Sequence, residues 1–251
     1  MSSITIIGAG NVATQIGFSL RMAGHTITQV FSQTQASAQA LANKLDCPFT
    51  TDIKALRQSD FALIAVKDDA IEEVEKHIWF AKIHTSGSKH LNCLNGKNTG
   101  VLYPVQSISI DKNITFSEIP ICIEANNKAF LKSIKSLAES ISNKVHLMHS
   151  EQRAYLHLSA VLACNFSSLM YVLSQEICQI HHIPFDFLKP LIEETAKKIQ
   201  HIPPSTALTG PAKRGDFKVI NQHLDLLSSN PEIKQIYQQL SRTIAKRFYE
   251  L

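Results

Sequence analysis

Gly8, Gly10 and Ala13, in the run GAGNVA, have the spacing a backbone needs to turn tightly beside an anion. An apolar run, ITIIG from Ile4, precedes them, and a helical pattern begins at Asn11. In that context Gly8 makes the turn, Gly10 lets a pyrophosphate come close, and Ala13 keeps the helix near the strand. Asn11 and Val12 then stand at a helix N-terminus, where unpaired N–H groups and the positive dipole end favour phosphate. A small-residue turn that binds nothing is the alternative. The succession of strand, turn, helix and next strand favours a dinucleotide.

Three further clusters fall where loops after strands are expected. Ser32, Gln33 and Thr34 follow the second strand pattern, where enzymes using NAD carry an acidic residue for the ribose hydroxyls. With no carboxylate there to repel a 2′-phosphate, NADP is expected ahead of NAD. Val66 and Lys67 follow FALIA, with Asp68 and Asp69 read as caps of the next helix. Thr85, Ser86 and Gly87, in HTSGS, close the strand pattern that begins at Lys82, and offer hydroxyls and bare backbone to a nicotinamide or simply form a turn.

Proton chemistry points to a long apolar helix after Ser150. Arg153 and His157 are four residues apart and share a face; His157 and Asn165 are separated by about 80° on an ideal wheel. A histidine exchanges protons near neutrality, and an asparagine amide both donates and accepts. Buried polar residues that fasten helices together are the bland alternative. The stretch LTGPAKRGD adds Thr209 and the Gly210 amide as substrate contacts and Arg214 as a fork for a carboxylate or phosphate. It reads equally as a sharp Gly-Pro turn closed by Asp216 capping the next helix.

The bulk composition narrows the partners. The net charge of +4 is scattered, without the basic stripe that nucleic acid requires, so a small-molecule substrate is expected and nucleic acid is not. The histidines lack the tight spacing of a metal set, and no metal is expected. Five cysteines without a CxxC pair suit reduced thiols. The N-terminus lacks the basic region of a signal peptide, and no apolar run approaches the ~20 residues of a membrane helix. A cytoplasmic protein with no membrane contact is the expectation.

The elements that must position these residues change character midway. Strand candidates begin at Ile4, Thr26, Phe61, Lys82, Gly100, Ile119 and Lys144 and alternate with helical patterns over 11–23, 34–45, 69–77 and 127–141. This rhythm implies an α/β domain with a mostly parallel, Rossmann-like sheet over residues 1–149. Residues 150–251 read as all-helical, with later helices ending near 200 and spanning 216–228 and 231–249.

Taken in order, IIGAGNVA, LIAVKDDAI, HTSGS, YPVQSIS, RAYLHLSAVLACNF and LTGPAKRGD resemble a bacterial family of Rossmann-like proteins with a C-terminal helical domain of unknown function. That family is related to the 6-phosphogluconate dehydrogenase, ketopantoate reductase and pyrroline-5-carboxylate reductase group. The resemblance implies an NADP-binding domain, a 6-phosphogluconate dehydrogenase C-terminal-like helical domain that often dimerises, and a site between them. It also draws Tyr103 and Gln106 into consideration as substrate contacts. The hydroxyacid dehydrogenase relatives place a lysine one turn before an asparagine, and this chain has no such lysine before Asn165. Two functions follow as expectations: an NADP-dependent oxidoreductase acting on a small C=O or C=N substrate, or a non-catalytic NADP-binding sensor or scaffold.

Overall fold

The computed structural model describes residues 1–109 and 114–249. Among them, eight strands join in one sheet: β1 (Ser3–Ile7), β2 (Thr26–Phe31), β3 (Phe49–Thr50), β4 (Phe61–Ile64), β5 (Lys82–His84), β6 (Thr99–Pro104), β7 (Ile121–Ala125) and β8 (Val145–Leu147). Their spatial order is β3-β2-β1-β4-β5-β6-β7-β8, and every pairing is parallel except β6 with β7. The order reverses direction at β1, where the chain passes from β3 on one side to β4 on the other. Ligands of such sheets bind outside the carboxyl ends of the strands at that reversal.

The apolar runs are strands because both faces of the sheet are covered, which removes any need for polar alternation. Ile4 and Ile6 of β1 pack with Ile16 and Leu20 of α1 (Asn11–Met22) and Leu41 and Leu45 of α2 (Gln35–Leu45). Ile7 faces the other way, into a cluster with Ile64, Ile71 and Val74. The expected helix over 69–77 is broken into a 3-10 turn (Asp68–Ala70), a short α3 (Ile71–Val74) and another 3-10 turn (Glu75–His77). The tightening coincides with Glu75 turning inward, where its carboxylate meets Lys82 Nζ at 2.8 Å with both side chains buried. The two-residue β3 is too short to show any periodicity, and the sequence reading has no strand there.

Helix α4 (Lys128–Glu139) bridges β7 to β8 and opens with the Asn127 side chain accepting from the Phe130 N–H. After β8 come α5 (Ser150–Ala160), a π-helical turn (Val161–Phe166) and α6 (Ser167–Ile180), a helical run of 31 residues. This run is long and apolar enough, by length and composition, to cross a membrane, which corrects the sequence expectation. Scattered Ser, Asn, Gln and His residues interrupt it in the sequence, but its average stays apolar. The chain divides into compact units Met1–Phe166 and Ser167–Leu251, so α5 belongs with the sheet although the strand rhythm has already ended.

The second unit continues with α7 (Lys189–Lys198), α8 (Pro204–Ala207), α9 (Pro211–Arg214), α10 (Phe217–Leu226) and α11 (Pro231–Phe248). LTGPAKRGD is thus a single helical turn between glycines. Pro211 opens α9, and Gly215 ends it with φ +70, a left-handed cap against which the Tyr249 ring packs. Asp216 caps α10, its carboxylate accepting from Val219 N–H at 3.2 Å. Lys213 Nζ donates to the carbonyls of Ser205 and Leu208, at 2.9 and 2.8 Å, and secures the approach to the turn.

Candidate nucleotide and proton-transfer site

The loops after β1, β2, β4 and β5 gather at the carboxyl edge of the sheet, and each carries a cluster picked out in the sequence. Gly8 has φ +113, and a Cβ there would collide with the Ala65 carbonyl, so the fold itself requires this glycine. Gly10 differs. Its backbone is extended, it is exposed, and a Cβ built on it meets no protein atom within 4 Å. Neither sterics nor dihedral demands a glycine at 10, and the space in front of its backbone is open. The first turn of α1 carries no acidic residue and no side-chain cap, which leaves its N–H groups to an anion. These residues fit a dinucleotide pyrophosphate.

Asn11 is exposed, but its amide donates to the Ile108 carbonyl at 3.1 Å, drawing the segment after β6 across the start of α1. Val12 is half-buried against the core. Ser32 is half-buried, while Gln33 and Thr34 are exposed at the end of β2 and the start of α2. Helix α2 also lacks an acid in its first turn. Val66 stands 3.2 Å from the Cβ position of Gly8, and Lys67 is exposed beside it. Asp68 is not a helix cap, as the sequence suggested; its carboxylate accepts from the Ser88 hydroxyl and ties the β4 and β5 loops together.

The β5 loop is organised by its own side chains. Ser86 is buried, and its hydroxyl accepts from the N–H groups of Ser88 and Lys89 at 3.2 and 3.0 Å. Thr85 Oγ1 donates back to the Ile64 carbonyl. Ser86 N–H donates to His84 Nδ1 at 3.2 Å, which places the neutral ring's proton on Nε2. His84 is fully buried; burial, and then the neighbouring Arg153 charge, push its pKa down to about 4, so the ring is neutral at physiological pH. Gly87 is needed for a close approach: a Cβ on it would lie 2.8 Å from both His157 Nδ1 and Tyr103 Cζ.

Helix α5 reaches this loop through two side chains with different fates. Arg153, expected to line the site, has no exposed surface at all. Its Nη1 meets Glu124 Oε2 at 2.6 Å, and its Nη2 donates to the Lys89 carbonyl at 2.6 Å. Ser150 joins the cluster, donating to Glu124 at 2.6 Å and accepting from Leu91 N–H at 2.9 Å. Burial raises the Glu124 carboxyl, but the hydrogen bonds from Ser150 and Arg153 and the guanidinium charge outweigh it, and the pKa lies below the usual range. Arg153 therefore clamps α5 to β7 and to the β5 loop; a charge this deep must be paired to be tolerated.

His157, one turn on, is half-buried beside Gly87, with Nδ1 3.2 Å from the Tyr103 hydroxyl. Asn165 is exposed within the π-helical turn, so a wheel drawn at constant α spacing no longer relates it to His157. Among the described residues it makes no hydrogen bond to His157 or Tyr103. Thr209 and Arg214, both exposed, lie in the second unit, in the turn before α9 and at its end. Among the described residues no three His, Cys, Asp or Glu side chains converge as a metal set.

Residues 119–244 match the model of DUF2520, a domain of unknown function, and residues 3–86 match the model described as NADP oxidoreductase, coenzyme F420-dependent. No curated protein matches the chain. Among solved structures, BF3122 from Bacteroides fragilis, described as a candidate NADP oxidoreductase, is 38% identical, with a TM-score of 0.92 and 98% of both chains covered. At 13% identity the fold alone is shared with two others. For 1-pyrroline-5-carboxylate reductase from Streptococcus pyogenes the TM-score is 0.63 with 98% of both chains covered. For an imine reductase from Myxococcus stipitatus in complex with NADP+ it is 0.66, with 99% of this chain and 93% of that one covered. Matched by DUF2520 over half its length and by the Bacteroides protein over nearly all of it, the chain belongs to the DUF2520 family, with a Rossmann-like NADP-oxidoreductase domain leading into the helical one.

Proposed function

We propose that the protein is an NADP-dependent oxidoreductase acting on a small C=O or C=N substrate, with His157 as the group that handles the proton. The observation that carries this reading is the placement of His157: α5 delivers an imidazole onto Gly87, on the same sheet edge as the glycine turn. Gly8, Gly10, Asn11 and Val12 would hold the pyrophosphate, and Ser32, Gln33 and Thr34 the adenosine ribose and its 2′-phosphate. Val66, Lys67, Thr85, Ser86 and Gly87 would flank the nicotinamide end. When bound, the cofactor supplies or takes the hydride. His157 gives or takes the proton at the substrate heteroatom, while Asn165, Thr209 and Arg214 position the substrate. Residues 1–149 serve the cofactor, and 150–251 serve substrate and dimer contacts. Among the described residues the cysteines form no disulfide, which suits a cytoplasmic enzyme.

NADPH and NADP are expected to raise the melting temperature by more than NADH and NAD, since a ligand that binds the folded state stabilises it by mass action. A hydride-transfer screen over keto acids, aldehydes and imines should then yield turnover. His157→Ala should lower it by about 100-fold or more with the NADPH-induced thermal shift intact. Full activity in that variant removes His157 from the role; binding without turnover of any substrate leaves a sensor.

The same reading makes the protein a homodimer. Leu158, Leu162, Phe166, Leu169, Val172 and Ile180 are each 45–56% exposed along one helical run. Soluble monomers rarely leave so long an apolar surface open, and a second copy would bury the roughly 1,600 Å² of a standard interface. Sedimentation should report a dimer, and Leu162→Glu with Leu169→Glu should shift it to monomer. A wild-type monomer at micromolar concentration, or flotation with lipid vesicles, would overturn this assignment.

A further inference from the structure

Tyr103, next to last in β6, points its hydroxyl at His157, with the two rings edge to face at a centroid distance of 6.0 Å and an angle of 78°. Gly87 presses on both, so three separate chain segments fix one contact. Among the described residues, His157 Nδ1 is the polar partner of this hydroxyl. Burial pushes the phenol pKa up, so the group stays protonated. A phenol donates to an imidazole lone pair more readily than it accepts from a ring N–H, and it can do either.

We infer that Tyr103 is a positioning residue for His157: its hydroxyl donates to Nδ1 of the neutral ring and thereby assigns the ring's own proton to Nε2, the nitrogen left to face a substrate. The inference rests on the reading of His157 as the proton-handling group. When the ring is charged, Nδ1–H donates to the phenol oxygen instead, so one contact holds the ring through both halves of a proton-transfer cycle. The charged ring releases its Nε2 proton to the substrate heteroatom, which leaves the neutral Nδ1–H form with that N–H still donating to the Tyr103 oxygen. A proton from hydronium or buffer at the freed Nε2 lone pair restores the charged ring, and loss of the Nδ1 proton to solvent returns the neutral Nε2–H form. Tyr103 itself neither gains nor loses a proton. The geometry also explains why position 87 is a glycine, since any side chain there would part the two rings.

The test needs no substrate. Full-length protein labelled with ¹⁵N-histidine is examined by long-range proton–nitrogen correlation at a pH where the ring is neutral, with His157→Gln identifying the signal among the 11 histidines. The wild type should show the Nε2–H tautomer in excess. Tyr103→Phe keeps the ring packing but removes the hydroxyl, and should lower the tautomer ratio about fivefold, the equivalent of one lost hydrogen bond of ~1 kcal/mol. Gly87→Ala, which wedges the rings apart, should move the ratio the same way. A folded Tyr103→Phe protein with an unchanged ratio overturns the proposal, and so does a wild type in which the Nδ1–H tautomer equals or exceeds the other. Should His157→Ala retain turnover, the catalytic reading fails while the tautomer result still stands, so the two failures are distinguishable.

Discussion

Arg153→Ala is expected to destabilise the folded protein by about 3–5 kcal/mol, because it strands a buried carboxylate without its counter-charge. The Arg153 guanidinium is the partner that, with Ser150, keeps Glu124 ionised in a nearly solvent-free setting. The same substitution frees the Lys89 carbonyl, so the β5 loop loses one of its attachments to α5. Denaturant unfolding of the variant should show the loss as a lower midpoint. Replacing both partners by apolar residues, Arg153→Met with Glu124→Leu, should recover most of it, because no unpaired charge then remains. If Arg153→Ala unfolds at the wild-type midpoint, the buried pair is not what binds the helix to the sheet.

The two glycines of the first turn are expected to fail in opposite ways. Gly8→Ala forces a side chain into a left-handed backbone and against the Ala65 carbonyl, and should cost about 3 kcal/mol or more of stability. Gly10→Ala meets no protein atom and requires no dihedral change, so its stability should stay within about 0.5 kcal/mol of wild type. On the proposed placement of the pyrophosphate at this turn, NADPH affinity should nonetheless fall about tenfold or more, because the methyl group occupies its approach. Unfolding midpoints measure the first effect, and the NADPH-induced thermal shift measures the second. A Gly10→Ala protein that binds NADPH as tightly as wild type would remove the pyrophosphate from this turn.

Much of the sheet domain is legible in the sequence because its signals are local. ITII and FALI announce strands covered on both faces, and GAGNVA announces the turn between a strand and a helix. The helical character after Ser150 is equally plain in the spacing of its apolar residues. The antiparallel turn of β7 beside β6 and the edge pairing of β3 depend on long-range partners, and no periodicity reports them. The π-helical turn is hidden too. It alters the phase of a helix by one inserted residue, and VLACNF carries no local mark of that insertion.

The candidate site divides along the same line. By itself the sequence determined the residue types: small residues at the first strand-to-helix turn, neutral ones after β2, and an imidazole on an apolar helix. It could not determine which polar residues would be used within the fold and which would be left available. Arg153 and His157 share a helix face, yet the first is buried against Glu124 and the second meets Tyr103 over Gly87. Asp68 and Ser86 are likewise taken up in holding loops together. Only the tertiary structure decided these assignments. A side chain's role depends on the partners that folding brings within hydrogen-bond reach, and for Arg153 Glu124 and Lys89 lie 29 and 64 residues away, as Tyr103 lies 54 from His157.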